Sequence, residues 1–326
     1  MNKNSYLKKI LLSKLFMLLV LLIIVLAVFT ILSGGDFFNL RNIRNILSSL
    51  AVVAFLTVGA GMLLVSGCLD LSVGPIGTLS GVVMAIILLH GAPWPVAVIA
   101  GLAVAGGIGF INALLVTRFK LQAFITTLAV GSIISGIAIT MTAGRAVHIR
   151  DDFIIWVGSH MLFGFLPVSV LLALIVFLIY GIILSKTNFG KKVYLVGGNP
   201  QAAYLAGLNY SRIIFILFIN NAMLAGLSGI LLGARMNLVS PGLAIAGGGA
   251  VAFAGLIAAI LGGISFGGGK GGLLGAFVGL LIINSFSNGM TIIGLGTHWQ
   301  TVASGVLFLI ALTIDFILEK SQTRLR

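Results

Sequence analysis

The amino-acid sequence predicts an all-α, polytopic membrane protein. Of its 326 residues, 60% are hydrophobic and only 8% are charged, and the mean hydropathy is +1.23, far above the value that a water-soluble surface tolerates. Apolar stretches of about 20 residues, the length that crosses a bilayer as a helix, recur along almost the whole chain. They leave no room for a separate soluble domain, so we expect residues 1–326 to form a single membrane domain.

Ten segments are long and apolar enough to be predicted as membrane spans. The first follows four lysines and could be mistaken for a secretory signal. It is too long for a signal core, and no Ala-x-Ala-like cleavage site follows it, so we expect it to be retained as a helix. The predicted spans are residues 15–32, 46–66, 73–89, 94–117, 121–143, 166–185, 213–234, 248–265, 271–290 and 297–316.

The distribution of basic residues predicts the orientation of these spans. With the amino terminus in the cytoplasm, the inner segments receive 14 Lys and Arg residues and the outer segments receive five, which is the asymmetry expected of cytoplasmic loops. Trp94, Trp156 and Trp299 then lie on the outer side, where an indole ring favours the membrane interface. Both termini are therefore predicted to be cytoplasmic.

The composition argues against catalysis and against metal binding. The single cysteine, Cys68, excludes an internal disulfide and a multi-cysteine metal site. His148 lies near Asp151 and Asp152 but lacks the spacing of histidine ligands. Six acidic residues leave no carboxylate pair for acid–base chemistry, and no Ser, His and Asp set shares one face of the membrane. Ionisable groups within the spans are also too scarce for an ion-coupled carrier.

Glycine is abundant, with 44 residues, and its spacing predicts close helix packing. Series at four-residue intervals, such as Gly101, Ala105 and Gly109, let helices approach closely in lipid. The run GGISFGGGKGG at 262–272 contains the pattern G-x-G-x-x-G. The P-loop pattern fails, because Ile264 stands where the first glycine is required and a glycine replaces the magnesium-binding Ser or Thr. We expect a tight inner turn there, and no nucleotide or other cofactor bound by this chain.

The predicted inner loop, residues 186–212, is basic at both ends and apolar in the middle. Pro200 can open a short helix with Asn199 as its N-cap and Gly207 at its end, so residues 200–206 are predicted as a stub helix. Its apolar side either lies against the protein's own helix ends or the lipid headgroups, or docks a cytosolic protein. The exposed apolar patch favours docking.

The predicted outer loop, residues 144–165, mixes charged and aromatic side chains, including Arg145 and Arg150. The sequence is compatible with a lid, with a docking surface for a soluble partner, or with a simple connector. These three alternatives predict different partners for the two arginines, and surface ion pairs are weak on their own.

One acidic residue, Asp70 in SGCLDLSVGP, lies between two long apolar runs. It could face a solute pathway, because buried acids in membrane proteins are commonly functional. It could instead cap the third span by accepting hydrogen bonds from the amides of Ser72 or Val73. The predicted position at the inner end of a helix pair favours the cap.

Other polar side chains within or near the spans are pathway candidates, foremost Asn112, Asn220 and Asn284. Each could equally form an interhelical hydrogen bond. As a set they suit a neutral, hydroxyl-rich solute better than an ion. The remaining members of the set are Thr126, Thr127, Asn221, Ser285, Ser287 and Asn288.

Four segments resemble the permease subunits of bacterial ATP-binding-cassette (ABC) importers of the ribose, xylose, arabinose and galactose type. The resemblance extends over nearly the full length of the chain. One departure is the trio Gly67, Cys68 and Leu69 before Asp-Leu-Ser, where family members commonly show Gly-Gly-Ile. The segments are SGCLDLSVGP at 66–75, QAFITTLAVGSIISGIA at 122–138, NFGKKVYLVGGNPQAAYLAGLN at 188–209 and LGGISFGGGKGGLLGAFVGLLI at 261–282.

The resemblance implies a dimeric pore in the bacterial inner membrane, formed with a second copy or a sister permease. A cytosolic ATPase, often with two fused cassettes, would bind ATP and magnesium and dock on the inner loop. An extracytoplasmic solute-binding protein would deliver a monosaccharide, and Arg145 and Arg150 would pair with its acids. No nucleic acid is implied. The implied coupling residues are Gly198, Asn199, Pro200, Ala202, Ala203, Tyr204, Leu205, Gly207 and Leu208.

Three other functions are kept as alternatives. The first is an importer of the same mechanism for a nucleoside or another small polar solute. The second is a secondary carrier that needs no partner and is driven by an ion gradient alone. The third is a membrane scaffold that transports nothing.

Overall fold

The computed structural model describes residues 14–241, 249–296 and 299–313 without 304, 308, 311 and 312. Throughout these residues the chain is almost entirely helical, and the predicted all-α class is confirmed. The small amount of strand consists of two-residue pairs on the outer loops.

Twelve α-helices with defined bounds lie within the described residues up to Ile292 and are numbered here in chain order, together with a short 3₁₀ helix at Asp36–Phe38. The helices are α1 (Lys14–Leu32), α2 (Leu40–Val65), α3 (Val73–Leu89), α4 (Trp94–Thr117), α5 (Ala123–Thr142), α6 (Asp152–Ser159), α7 (Val168–Lys186), α8 (Asn188–Gly198), α9 (Pro200–Leu205), α10 (Tyr210–Met236), α11 (Gly249–Leu261) and α12 (Leu273–Ile292). The described positions from 299 onward are also helical.

Seven of these helices, α1, α2, α4, α5, α7, α10 and α12, are long and apolar enough to cross a membrane. The predicted spans at 73–89 and 248–265 correspond to the shorter helices α3, with 17 residues, and α11, with 13. Helix α11 ends earlier than predicted, because Gly263 adopts a left-handed conformation with φ of 97°. The predicted tenth span, 297–316, is described at eleven of its positions between 299 and 313, and these are all helical. The chain is thus a multi-pass membrane protein.

Helix α2 forms the centre of the bundle. Its side chains are buried almost continuously from Leu50 to Val65, and it packs against α7, α10, α11 and α12. Helix α1, by contrast, is exposed over nearly its whole length and packs mainly on α12. An apolar helix exposed on most of its surface suits a position facing lipid.

Close contacts at glycine hold α3, α4 and α10 together. The predicted series Gly101, Ala105 and Gly109 lies on the face of α4 that packs on these two helices, since a Cβ added at Gly109 would lie 2.6 Å from the Cβ of Ala222 in α10. A Cβ added at Gly229 of α10 would overlap the backbone of Gly77 in α3. The helices therefore meet backbone against backbone, which is how helices associate where lipid removes the hydrophobic drive.

The predicted outer loop is folded rather than extended. Asp151 caps helix α6 by accepting a hydrogen bond of 3.0 Å from the amide of Ile154. Strand β1 (Val147–His148) pairs antiparallel with β4 (Leu238–Val239), and β2 (Met161–Leu162) pairs with β3 (Leu166–Pro167). The β1–β4 pair attaches the loop to the residues that follow α10, and the other two contacts lie within the loop.

The predicted inner loop contains two helices where the sequence predicted one. Besides the stub helix α9, residues Asn188–Gly198 form α8, which begins with the Thr187 hydroxyl accepting from the amide of Gly190. Val193 and Val196 of this helix are fully buried. Only the stub helix was predicted in this loop, whereas residues 188–198 also form a capped helix with these apolar side chains on one face.

The close contact of α3 and α10 predicts the effect of one substitution. We expect Gly229→Ala to destabilise the protein by about 1–3 kcal/mol, since the added methyl group overpacks a contact with backbone. The melting temperature of the protein in detergent measures this effect. Gly107→Ala on α4 is the control, because a Cβ there meets no atom within 4 Å. Equal melting temperatures for both variants would contradict the close contact.

Candidate functional site

Asp70 lies in the turn between α2 and α3 and is buried, with 6% of its surface exposed. One carboxylate oxygen, Oδ1, accepts hydrogen bonds from the amide of Ser72 at 2.8 Å and from its hydroxyl. The other oxygen, Oδ2, accepts from Nδ2 of Asn221 on α10 at 3.0 Å. All the donors are neutral, so the carboxylate is stabilised by hydrogen bonds rather than by an ion pair.

The hydrogen bonds continue from Asp70 to two further helices. The Ser72 hydroxyl accepts from Nδ2 of Asn112 on α4 at 2.8 Å, and the amide of Leu71 donates to the hydroxyl of Thr127 on α5 at 3.1 Å. The polar network is defined here as Asp70, Ser72, Asn112, Thr127 and Asn221, all of them buried. It connects the α2–α3 turn to α4, α5 and α10.

Two amide oxygens of the polar network, those of Asn112 and Asn221, have no hydrogen-bond partner among the described residues. The Asn221 oxygen packs directly on Gly59 of α2, where a Cβ would overlap it. Unpaired buried acceptors are uncommon and costly in folded proteins. The polar network thus has two amide oxygens inside the bundle that can accept further hydrogen bonds.

The geometry of Asp70 bears on both interpretations of this residue. The hydrogen bond from the Ser72 amide, which the capping interpretation expects, is present. The N-cap position of α3 is however held by Ser72 itself, and the second oxygen of Asp70 binds a different helix through Asn221. Contact between the solute and this carboxylate stays a prediction. The structural role of Asp70 extends beyond the cap of one helix.

A cavity of about 610 Å³ lies at the carboxyl end of α4 and the amino ends of α5 and α10, next to the polar network. Leu69, the residue before Asp70, lines it, together with polar side chains that include Lys120, Gln122 and Ser211. The only cysteine of the chain, Cys68, also lines the cavity, and its sulfur lies 3.8 Å from the Tyr210 hydroxyl. The volume is within the range of small-molecule sites.

The other two asparagines predicted as pathway candidates make interhelical hydrogen bonds. Asn220 of α10 accepts from the hydroxyl of Tyr180 on α7. Nδ2 of Asn284 on α12 donates to the carbonyl of Ile46 on α2 at 2.7 Å. Neither residue belongs to the polar network, so the structure brings together Asp70 and Asn112 but not Asn220 and Asn284.

The predicted stub helix is present as α9. The Asn199 side chain accepts from the amide of Ala202 at 2.9 Å, as predicted for an N-cap, and Gly207 has a φ of 74° just beyond the helix end. Tyr204 and Leu205 are 77% and 85% exposed. Local sequence therefore suffices to form the helix and to expose these two large side chains.

The predicted coupling residues differ in their exposure to solvent. Ala203 is buried, so it packs inside the chain and is not available to a partner, whereas Ala202 is exposed. Gly198, Asn199, Pro200 and Gly207 are exposed at the ends of the stub helix, and Leu208 is half-buried. The surface open to a partner is thus formed by Ala202, Tyr204 and Leu205.

A tyrosine on α8 joins this helix to the predicted inner turn at residues 262–272. The Tyr194 hydroxyl donates a hydrogen bond of 2.6 Å to the carbonyl of Gly271. Partial burial raises the pKa of the Tyr194 phenol, so the hydroxyl remains protonated and able to donate at neutral pH. This hydrogen bond could not be predicted from the sequence, since the two residues are 77 positions apart.

In the predicted outer loop, Arg145 and Arg150 are both exposed. His148 lies in strand β1 and Asp151 caps α6, so these residues have structural partners. Among the described residues no group of three or more His, Cys, Asp or Glu side chains could hold a metal ion. Pairing of the two arginines with a partner's acids stays a prediction.

The structure is a helical bundle with seven helices long enough to cross a membrane and a capped helix, α9, that exposes large apolar side chains. The chain belongs to the family described as branched-chain amino acid transport system / permease component, whose sequence model matches residues 42–312. It is therefore a permease component and not itself an enzyme. No solved structure matches the chain significantly.

The most similar relatives include permeases named for sugars. The ribose import permease protein of Escherichia coli strain K12 is 34% identical over 284 residues, which cover 86% of this chain and 87% of that protein. The D-allose transport system permease protein of the same strain is 34% identical over 294 residues, with coverage of 90% and 88%. The L-arabinose ABC transporter permease protein of Azospirillum brasilense is 31% identical over 280 residues, with coverage of 86% and 81%. The family predicted from the four segments is confirmed.

The polar network predicts the effect of a change at Asp70. In Asp70→Asn, the new amide nitrogen must face a donor, either Ser72 or Asn221, so one hydrogen bond is lost and we expect destabilisation of about 1–3 kcal/mol. Melting temperatures in detergent measure this loss. Asp152→Asn, at an exposed position of α6, is the control and should change the melting temperature less. Unchanged stability with altered transport would favour the pathway interpretation over the structural one.

Proposed function

We propose that this chain is the membrane-spanning subunit of an ATP-driven importer for a monosaccharide. Family membership and the names of the relatives, which import ribose, allose and arabinose, support the class of solute. The single structural observation that carries the mechanism is α9, a helix that holds Tyr204 and Leu205 out into solvent. Exposed apolar side chains on a rigid, capped helix are suited to a protein partner.

The driving force enters this proposal from outside the chain. Asp70 is the only acidic side chain in the polar network, and its partners are neutral amides and hydroxyls, which suits a neutral solute better than an ion. A separate cytosolic ATPase with tandem cassettes in one chain therefore binds ATP and magnesium and docks on α9.

The remaining parts of the assembly follow from the orientation of the chain. The exposed basic residues Lys191 and Lys192 flank the buried face of α8, and basic loops favour the cytoplasm. We therefore infer that α9 and both termini lie inside the cell, and that Arg145 and Arg150 lie outside, toward a solute-binding protein. A second permease completes the pore in the bacterial inner membrane.

The function is tested in proteoliposomes that contain this chain, a cassette ATPase and a binding protein from the same organism. We expect uphill uptake of a monosaccharide only when ATP is present on the side of α9. Ribose, allose, arabinose and fructose form the first panel of solutes, and a nucleoside tests the alternative substrate class. Uphill uptake by the chain alone, driven by an ion gradient, would contradict the proposal in favour of a secondary carrier.

Docking at α9 is tested separately by Leu205→Ser. Losing a buried leucine contact costs about 1.5–3 kcal/mol, so we expect the ATPase to bind about tenfold more weakly or worse. Co-purification of the two proteins and titration of the ATPase measure this change. Leu274→Ser is the matched control, because Leu274 is 83% exposed at the first turn of α12 but lies outside α9. Equal binding by both variants would place the ATPase elsewhere.

A further inference from the structure

Three backbone segments meet without intervening side chains at the inner face of the bundle. They are the α2–α3 turn at Gly67, the end of α8 at Gly197, and the predicted inner turn at Gly268 and Gly269. These four residues are defined here as the glycine junction. A Cβ added at Gly268 would lie 2.8 Å from the Gly197 carbonyl oxygen and 2.9 Å from the Gly67 Cα.

A hydrogen bond and backbone conformation fix the glycine junction. The amide of Gly269 donates to the carbonyl of Val65, the last residue of α2, at 2.8 Å. Gly67, Gly268 and Gly269 all have positive φ values, of 79°, 81° and 69°, which glycine adopts far more readily than other residues. Contact between backbones leaves no side-chain rotamers to absorb a displacement, so the three segments are expected to move together.

Gly197 lies at the centre of this arrangement. A Cβ at this position would overlap the Val65 carbonyl oxygen and lie 2.9 Å from the Gly269 amide nitrogen. Gly197 is also the penultimate residue of α8, two positions before the Asn199 cap of α9. The stub helix is thus joined by one short stretch of chain to the contact with α2.

On the other side of the junction the chain leads directly to the polar network. Asp70 follows Gly67 by three positions, and its hydrogen bonds reach α10 through Asn221, while Ser72 and Leu71 reach α4 and α5. Any shift of the α2–α3 turn therefore acts on three helices that surround the inner cavity. Gly197 thus lies between the exposed stub helix α9 and the buried polar network.

We propose that Gly197 is a positioning residue through which displacement of α9 reaches the α2–α3 turn, and with it the polar network. This inference rests on the proposed function, since it requires an ATPase that moves α9. Tyr194 supports the same contact, because its hydroxyl holds α8 to the Gly271 carbonyl of the inner turn at 2.6 Å. The direction of transmission is from α9 to α8, then to the turn, and then to α4, α5 and α10.

The test is Gly197→Ala in proteoliposomes with the ATPase, a binding protein and a monosaccharide that the wild type transports. We expect the ATPase to remain associated, because Tyr204 and Leu205 are unchanged, and hydrolysis to continue. The number of solute molecules transported per ATP hydrolysed should fall at least tenfold. A merely structural role would reduce the amount of folded protein and lower transport and hydrolysis together, leaving this ratio unchanged.

Gly181→Ala is the matched control, because Gly181 lies within α7 and a Cβ there meets no atom within 4 Å. It should keep the wild-type ratio. If Gly197→Ala does not reach the membrane, Tyr194→Phe decides the question, since it removes only the hydroxyl group, and the ratio should fall a few-fold. If the measured variant, Gly197→Ala or Tyr194→Phe, transports as many solute molecules per ATP as the wild type, this inference is overturned and the proposed function is not affected. Failure of the wild-type chain to associate with an ATPase would instead overturn the proposed function, and this inference with it.

Discussion

Backbone contact at glycine is the constraint on which the rest of this structure depends. Within lipid, helices gain no hydrophobic free energy from association, so packing requires surfaces that let them approach closely. In the bundle, Gly77 and Gly229 bring α3 and α10 together, and a Cβ added at Gly229 would overlap the backbone of Gly77. The same device recurs at the inner face, where glycines of three segments touch. The fold and the proposed transmission of movement therefore use one kind of contact in two places.

Close packing also explains how a lone carboxylate is tolerated inside the bundle. A buried charge without a partner is costly, and hydrogen bonds to its oxygens reduce that cost. Asp70 receives them from Ser72 and Asn221, and Asn221 can come so near only because Gly59 of α2 has no side chain. A polar network and a glycine contact thus depend on each other, and together they hold the α2–α3 turn at a defined depth in the bundle.

The sequence was informative where the physical signal is local. The nine predicted spans that lie within the described residues each contain a helix, because about 20 apolar residues in lipid have few alternatives, and α9 was predictable from the cap at Asn199 and the glycine after it. Helix α8 was missed, because its capped start at Thr187 and its buried valines do not stand out within a mixed apolar loop. The members of the polar network were all named as candidates from the sequence. Their pairing was beyond prediction, since Asn221 lies 151 positions from Asp70 and no periodicity links them.

Under the proposed function, residues 198–208 must meet two opposing requirements. A partner that must be bound and released needs exposed side chains, and Tyr204 and Leu205 supply them. A displacement of α9 that must reach the interior needs rigid contacts between α8 and α2. Flexible side chains between these helices would absorb the displacement through rotamer changes. Separating these tasks along one short stretch of chain, with large apolar groups on α9 and glycine at the end of α8, meets both requirements. Ala203 is consistent with this division, because it is small, buried and placed on the inward face of the stub helix, where it seats the exposed residues on the bundle.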